Sequence, residues 1–116
     1  MPVPQPTLLV VDDTPAALGV VCDTLRREGV RVLLAESGAA AREVLARTSP
    51  DLILLDVMMP GEDGFTVCAA LHAHPTWRDI PVIFLTAIDA AEQKVRAFAA
   101  GAVDYVTKPV HVPELV

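Results

Sequence analysis

The chain has 116 residues, 53% of them hydrophobic and only 4% aromatic, which is enough for one domain with a core of Val, Leu, Ile and Ala. Nine basic against fifteen acidic residues leave a net charge of −6, which disfavours binding to nucleic acid or to an anionic membrane and locally would suit a cation site. Two cysteines without CxxC spacing, an amino terminus without a positive flank or apolar run, and no membrane-length apolar stretch predict reduced thiols, no secretory signal, no membrane span and a cytoplasmic location.

Thr7–Val11 reads as a short aliphatic strand closed by Asp12, Asp13 and Thr14. Pro15 suits the first position of a helix whose inner face carries Leu18, Val21, Cys22 and Leu25 at i, i+3, i+4 and i+7, and Gly29 is placed to end it. Residues 30–35 form a second strand. Ser37 then caps a helix running to about Arg47, with Ala41, Val44 and Leu45 inward. Residues 51–55 hold four consecutive large aliphatic side chains, the pattern of a strand buried on both faces, and deliver Asp56 to its carboxyl end. A Pro/Gly-rich loop over 57–63 precedes a weaker helix near 65–72, which Pro75 stops.

Residues 80–85 form a fourth buried strand ending at Thr86, with Pro81 where no ladder hydrogen bond is needed. Asp89 and Glu92, three apart, resemble a capping box for a fourth helix bearing Val95, Phe98 and Ala99 and closed by Gly101. Residues 103–107 form a fifth strand followed by Lys108-Pro109, and Pro113-Glu114-Leu115 looks like the first turn of a fifth helix. Strands alternating with helices over short connections predict a doubly wound α/β fold. The expected arrangement is a five-stranded parallel sheet of flavodoxin-like order 2-1-3-4-5, forming a single domain over 1–116. Such a sheet needs cover on both faces, and the first helix alone leaves part of one face bare. The chain is therefore expected to be a fragment of a longer protein, with the fifth helix largely missing, or to meet a partner surface there.

In an open parallel sheet, ligands bind at the carboxyl ends of the strands. Those ends carry Asp12 and Asp13, Asp56, Thr86 and Lys108. Three close carboxylates repel one another unless a cation sits among them, and oxygen ligands on strand-end loops suit Mg²⁺. Mg²⁺ with a lysine and a threonine hydroxyl can hold a phosphoryl group, and a carboxylate there can itself be the nucleophile. Each residue alone has an ordinary explanation. Asp56 could close a strand, Asp12 and Asp13 could favour a helix amino terminus, Thr86 could be a β-branched strand residue, Lys108 a surface lysine and Tyr105 core filler. The coherence of the set outweighs those separate readings.

Val10-Val11-Asp12-Asp13, Leu54-Leu55-Asp56-Val57-Met58-Met59-Pro60 with Gly64, Leu85-Thr86-Ala87, and Gly101-Ala102-Val103-Asp104-Tyr105-Val106-Thr107-Lys108-Pro109 occur in this order. In motifs and spacing, over essentially the whole chain, the sequence resembles the receiver domains of bacterial two-component response regulators. The resemblance implies that Asp56 is phosphorylated by a sensor histidine kinase or a histidine phosphotransfer protein. It also implies that Asp13, Asp56 and the main-chain carbonyl of Met58 ligate Mg²⁺, with Asp12 acting partly through metal-bound water. Lys108 would pair with one phosphoryl oxygen, Thr86 would move to bond another, and Tyr105 would follow as the aromatic switch. The Lys108-Pro109 peptide is typically cis in this family and holds the lysine in place.

Such a protein is a signalling phosphoacceptor, not an enzyme with a separate substrate, although it assists its own phosphotransfer and a slow dephosphorylation. Its state would act on an output domain beyond the carboxyl terminus or on a partner, and the oligomeric state, homodimer included, is left open. Apolar Met58 and Ile88, two residues after Asp56 and Thr86, are placed to hinder water at the acyl phosphate, or merely to cover the loop. Three rival readings are weaker. An aspartyl phosphatase or mutase usually has a second Asp where Met58 stands; a pseudo-receiver would not need the complete acidic and basic set; and a flavin module would not use so acidic a first loop.

Overall fold

The computed structural model describes residues 5–14, 19–57, 59, 61, 63–86, 99 and 104–107. Its elements in chain order are β1 (Thr7–Val11), α1 (Gly19–Arg27), β2 (Arg31–Ala35), α2 (Gly38–Leu45), β3 (Leu52–Asp56), α3 (Gly64–Ala73), β4 (Val82–Thr86) and β5 (Asp104–Thr107). The strands form one parallel sheet in the order β2-β1-β3-β4-β5, as the alternation of strand and helix patterns predicts. Residues 87–98 and 108–116 lie outside the described residues. The expected capping box at Asp89 and Glu92, the Lys108-Pro109 peptide and the first turn at Pro113 fall there.

Local chemistry sets the helix ends. Gly29 adopts φ 88°, the left-handed conformation that glycine takes without penalty. The N–H of Gly29 then donates to Arg26 O at 3.1 Å and that of Val30 to Leu25 O at 3.0 Å, which satisfies the last carbonyls of α1. This use of Val30 explains why β2 starts one residue later than the aliphatic run. Ser37 caps α2 by accepting from the Ala40 N–H at 3.1 Å. Asp63 caps α3 by accepting from the Thr66 N–H at 2.8 Å, so that helix opens at Gly64, one residue before the apolar pattern becomes visible.

Both faces of the sheet are buried, but by different means. Leu9, Val11, Ile53, Leu55, Val82 and Phe84 pack under α2 and α3, against Ala41, Leu45, Phe65, Val67, Cys68 and Leu71. The rings of Phe65 and Phe84 lie 5.0 Å apart at 50°, a tilted contact that contributes about 1 kcal/mol beyond simple burial. On the opposite face Leu8, Val10, Val32, Leu54 and Leu85 pack against Cys22 and Leu25 of α1. There Leu52 and Ile83 remain only half-buried. A groove of about 180 Å³ on this face, lined by Leu8, Leu25, Leu52 and Leu54, opens at the amino ends of β1 and β3. Sheet alternation thus sends successive residues of one strand to two different cores.

Candidate functional site

Register brings the candidate residues together. Val11 of β1 pairs with Leu55 of β3, so the next residues, Asp12 and Asp56, stand side by side on neighbouring strands. The Asp12 N–H donates to Ala35 O at 3.0 Å and keeps that residue in the ladder after the strand formally ends. Asp56 is itself the last residue of β3 and pairs with Leu85, and the next N–H, of Val57, donates to Leu85 O at 3.0 Å. Thr86, the end of β4, therefore lies one step beyond the level of Asp56, and it pairs with Thr107 of β5. Tyr105 pairs with Phe84, deeper along the same ladder.

The two strand-end carboxylates are withdrawn from water. Asp12 is 0% exposed and Asp56 3% exposed, whereas Asp13 is exposed. One carboxylate oxygen from each of the three lies within 4.8 Å of the others. The Asp12 carboxylate is oriented by Thr14, whose N–H and Oγ donate to Oδ1 at 2.9 and 3.1 Å. That local turn is an Asx-type arrangement, and it holds Asp12 against the sheet while Asp13 turns outward.

Electrostatics makes the cluster costly unless it is compensated. Two unit charges at that separation repel by about 3.5 kcal/mol at an effective dielectric of about 20, and burial adds a desolvation penalty to each. Ionised carboxylates accept hydrogen bonds and donate none, and three such groups converging at a loop edge are the donor set of a hard cation such as Mg²⁺.

The loop after β3 completes the wall beside Asp56. Met59 is buried in the core under α2 and α3, Gly61 takes φ 82°, and the Gly64 N–H donates to Val57 O at 3.0 Å. The loop is thereby folded back onto the Asp56–Val57 peptide. Of the residues singled out in the sequence, Asp12, Asp13 and Asp56 are brought together, and Thr86 and Tyr105 are placed by their backbones on β4 and β5. Met58, Ile88 and Lys108 lie outside the described residues. The hydrogen bonds from Thr14 to Asp12 and the closeness of Gly64 to Asp56 lie outside the sequence expectations. Asp-x-Thr spacing at a strand end signals the first, and the second has no signal beyond a glycine at a helix start.

The remaining reactive groups stand apart. Cys22 and Cys68 are buried thiols on opposite faces of the sheet. Burial pushes the Cys68 thiol up to about 11. Burial also raises Cys22, which Arg26 partly counters and Asp23 reinforces. Neither is a nucleophile at neutral pH. No helix among the described residues is long and apolar enough to cross a membrane.

Comparison with known proteins points the same way as the geometry. The family model for the response regulator receiver domain matches residues 8–116. Response regulator PleD of Caulobacter vibrioides is 46% identical over 103 residues, covering 89% of this chain and 23% of PleD. The DNA-binding dual master transcriptional regulator RpaA of Synechocystis sp. is 40% identical over 111 residues, covering 96% of this chain and 46% of RpaA. The chain thus spans less than half the length of these relatives. Among solved structures, chemotaxis protein CheY4 of Vibrio cholerae superposes with a TM-score of 0.89 at 28% identity, covering 97% of this chain and 93% of that one.

Proposed function

The chain belongs to the response regulator receiver domain family, whose role is phosphoacceptor signalling, and on that premise we propose that Asp56 is the residue that takes the phosphoryl group. The observation that carries this reading is the placement of a 3% exposed carboxylate at the carboxyl end of a central strand, beside two further carboxylates within 4.8 Å. The donor is a phosphohistidine of a sensor histidine kinase or a histidine phosphotransfer protein. A carboxylate oxygen of Asp56 forms the new O–P bond as the P–N bond breaks, and the electron pair leaves with the imidazole nitrogen, which takes up a proton.

Asp13 and Asp56, with the main-chain carbonyl of Met58 and with Asp12 partly through water, would hold Mg²⁺, which when bound neutralises charge on the phosphoryl oxygens. The fit rests on the donor set, three convergent groups that only accept, two of them buried. Lys108, which follows β5 in the chain, pairs with one phosphoryl oxygen. Thr86, at the end of the adjacent strand, donates its hydroxyl to another.

Phosphorylation adds roughly −1.5 to −2 charges and new acceptor oxygens at this one edge. Thr86 and Lys108 gain partners only in the phosphorylated state, and such differential interaction is what shifts a conformational equilibrium. Tyr105, on the strand paired with β4, moves with Thr86 and carries the change to the surface beyond β5. The module works in the cytoplasm and acts on an output domain or a separate partner. It turns over no separate substrate, while assisting its own phosphotransfer and slow dephosphorylation. The half-buried Leu52 and Ile83 on the α1 side are the surface that a following helix or partner would cover.

The test is intact mass after incubation with Mg²⁺ and acetyl phosphate. One added phosphoryl group on the wild type, absent from Asp56→Asn, is the expected result. An adduct that persists in Asp56→Asn, or none on the wild type with this donor and with several kinases, would overturn the assignment.

A further inference from the structure

We infer that Gly64 is a positioning residue for Asp56: its lack of a side chain lets α3 start hard against the Asp56–Val57 peptide and so holds the acceptor carboxylate among Asp12 and Asp13. The inference rests on Asp56 being the acceptor and a cation ligand.

A methyl group built on Gly64 would overlap the carbonyl oxygen of Asp56 outright. It would also stand 2.9 Å from Cα of Val57 and 3.0 Å from the carbonyl carbon of Asp56. All three are backbone atoms, so no flexible side chain can swing aside. The requirement is for space and not for backbone conformation, because among the described residues the glycines with positive φ are Gly29 and Gly61, and Gly64 is not one of them. Helix propensity alone would favour Ala here, since glycine is the worse helix former by about 1 kcal/mol.

Both sides of the contact are anchored. The Asp56 side is fixed by pairing with Leu85, by the Val57 N–H to Leu85 O bond of 3.0 Å and by the burial of Val57. The helix side is fixed by the Asp63 cap and by buried Phe65, Val67, Cys68 and Leu71. Nonbonded carbons sit comfortably at about 3.5–4.0 Å, so a methyl group here forces a displacement on the order of 1 Å. Part of that displacement must pass into the Asp56 peptide. Mg²⁺ requires ligands at about 2.0–2.1 Å in near-ideal octahedral geometry, and phosphoryl transfer requires aligned reacting atoms. Either is sensitive to a shift of that size.

The test compares Gly64→Ala with Val67→Ala, which opens a cavity at a fully buried residue one turn further along the same helix. Each variant is followed by thermal unfolding, by calorimetric titration with Mg²⁺ alone and by the rate of phosphorylation from acetyl phosphate. Gly64→Ala is expected to unfold cooperatively yet lose at least about tenfold in both Mg²⁺ affinity and phosphorylation rate, while Val67→Ala loses stability but keeps both within about twofold. Wild-type affinity and rate in Gly64→Ala would overturn the inference. So would equal losses in the two variants, or a Gly64→Ala chain with no folded state, since the glycine would then serve the fold and not the site. A wild type that neither binds Mg²⁺ nor takes phosphate would instead overturn the role of Asp56 itself, and this inference with it.

Discussion

Replacing Asp56 with Asn should make the protein more stable when divalent cations are absent. The substitution keeps the shape of a buried side chain and removes one charge from a cluster whose oxygens lie within 4.8 Å. Repulsion between the two buried carboxylates, Asp12 and Asp56, is about 3.5 kcal/mol at an effective dielectric of about 20, and Asp13, being exposed, adds only a screened fraction. Against this, a hydrogen bond to a charged acceptor is worth about 1.5–3 kcal/mol, and Asn satisfies the same partners less well. The net expectation is a gain of about 0.5–2 kcal/mol. For a domain of this size it corresponds to a melting temperature higher by about 2–8 °C.

Added Mg²⁺ should reverse the advantage, because a ligand bound only by the folded state stabilises it by RT ln(1 + [L]/Kd), about 2.7 kcal/mol at a hundredfold excess over Kd. Wild type should therefore rise steeply with Mg²⁺ and Asp56→Asn little. The assay is thermal unfolding by circular dichroism in chelator and across a Mg²⁺ series at constant ionic strength. A variant less stable than wild type in chelator, or an equal Mg²⁺ response in the two proteins, would refute the electrostatic reasoning.

Further consequences follow from other parts of the structure. With its thiol pushed up to about 11, Cys68 should resist alkylation at pH 8 in the folded protein and react promptly once unfolded, and stoichiometric labelling of the native protein within minutes would contradict its burial. Because the folded protein holds this thiol above its ordinary 9.0, its contribution to stability is complete below pH 9 and is lost as pH rises towards 11, which a melting series across that window would show. Asp63→Ala removes the cap of α3 and should cost about 1 kcal/mol, read as a lower midpoint in urea at unchanged slope. Phe84→Ala empties a site that is 0% exposed and should cost about 3–5 kcal/mol in the same assay. On the proposed function, Met58→Asn should shorten the lifetime of the phosphorylated protein by admitting water, and an unchanged decay of the mass adduct would reject a kinetic role for Met58.

Much of this architecture is legible in the sequence because strands buried on both faces leave continuous aliphatic runs, and Leu52 to Leu55 is unmistakable. The ends of elements are less so. Third-strand pairing reaches one residue further than the aliphatic run, to Asp56, because a backbone ladder is indifferent to side-chain polarity. Helix α3 is weakly patterned although Gly64, Val67, Cys68 and Leu71 fall at i, i+3, i+4 and i+7, because its exposed side carries Ala69, Ala70 and Ala73 instead of polar residues. The difference between Asp12 and Asp13, one sealed and one exposed, depends on a hydrogen bond from Thr14 that composition does not reveal. Gly64 was visible only as part of a motif. What it packs against is a fact of three-dimensional closeness.

The site lies where it does because of topology. Strand order β2-β1-β3 means that the chain leaves β1 in one direction along the sheet and β3 in the other. Helix α1 consequently packs on one face while α2 and α3 pack on the opposite one. The connections after β1 and β3 diverge, and a crevice opens between the two carboxyl ends, the position where ligands bind in sheets of this kind. Into it the register delivers Asp12 and Asp56, 44 residues apart in sequence and adjacent across one ladder. Neither residue could serve from a position one place earlier. Val11 points into the core under α2 and α3, and Leu55 does the same, so a carboxylate at either would be buried without its neighbours. The acidic cluster is thus tolerable only at the level where alternation ends and the loops begin, and the aliphatic strands beneath it keep its position fixed.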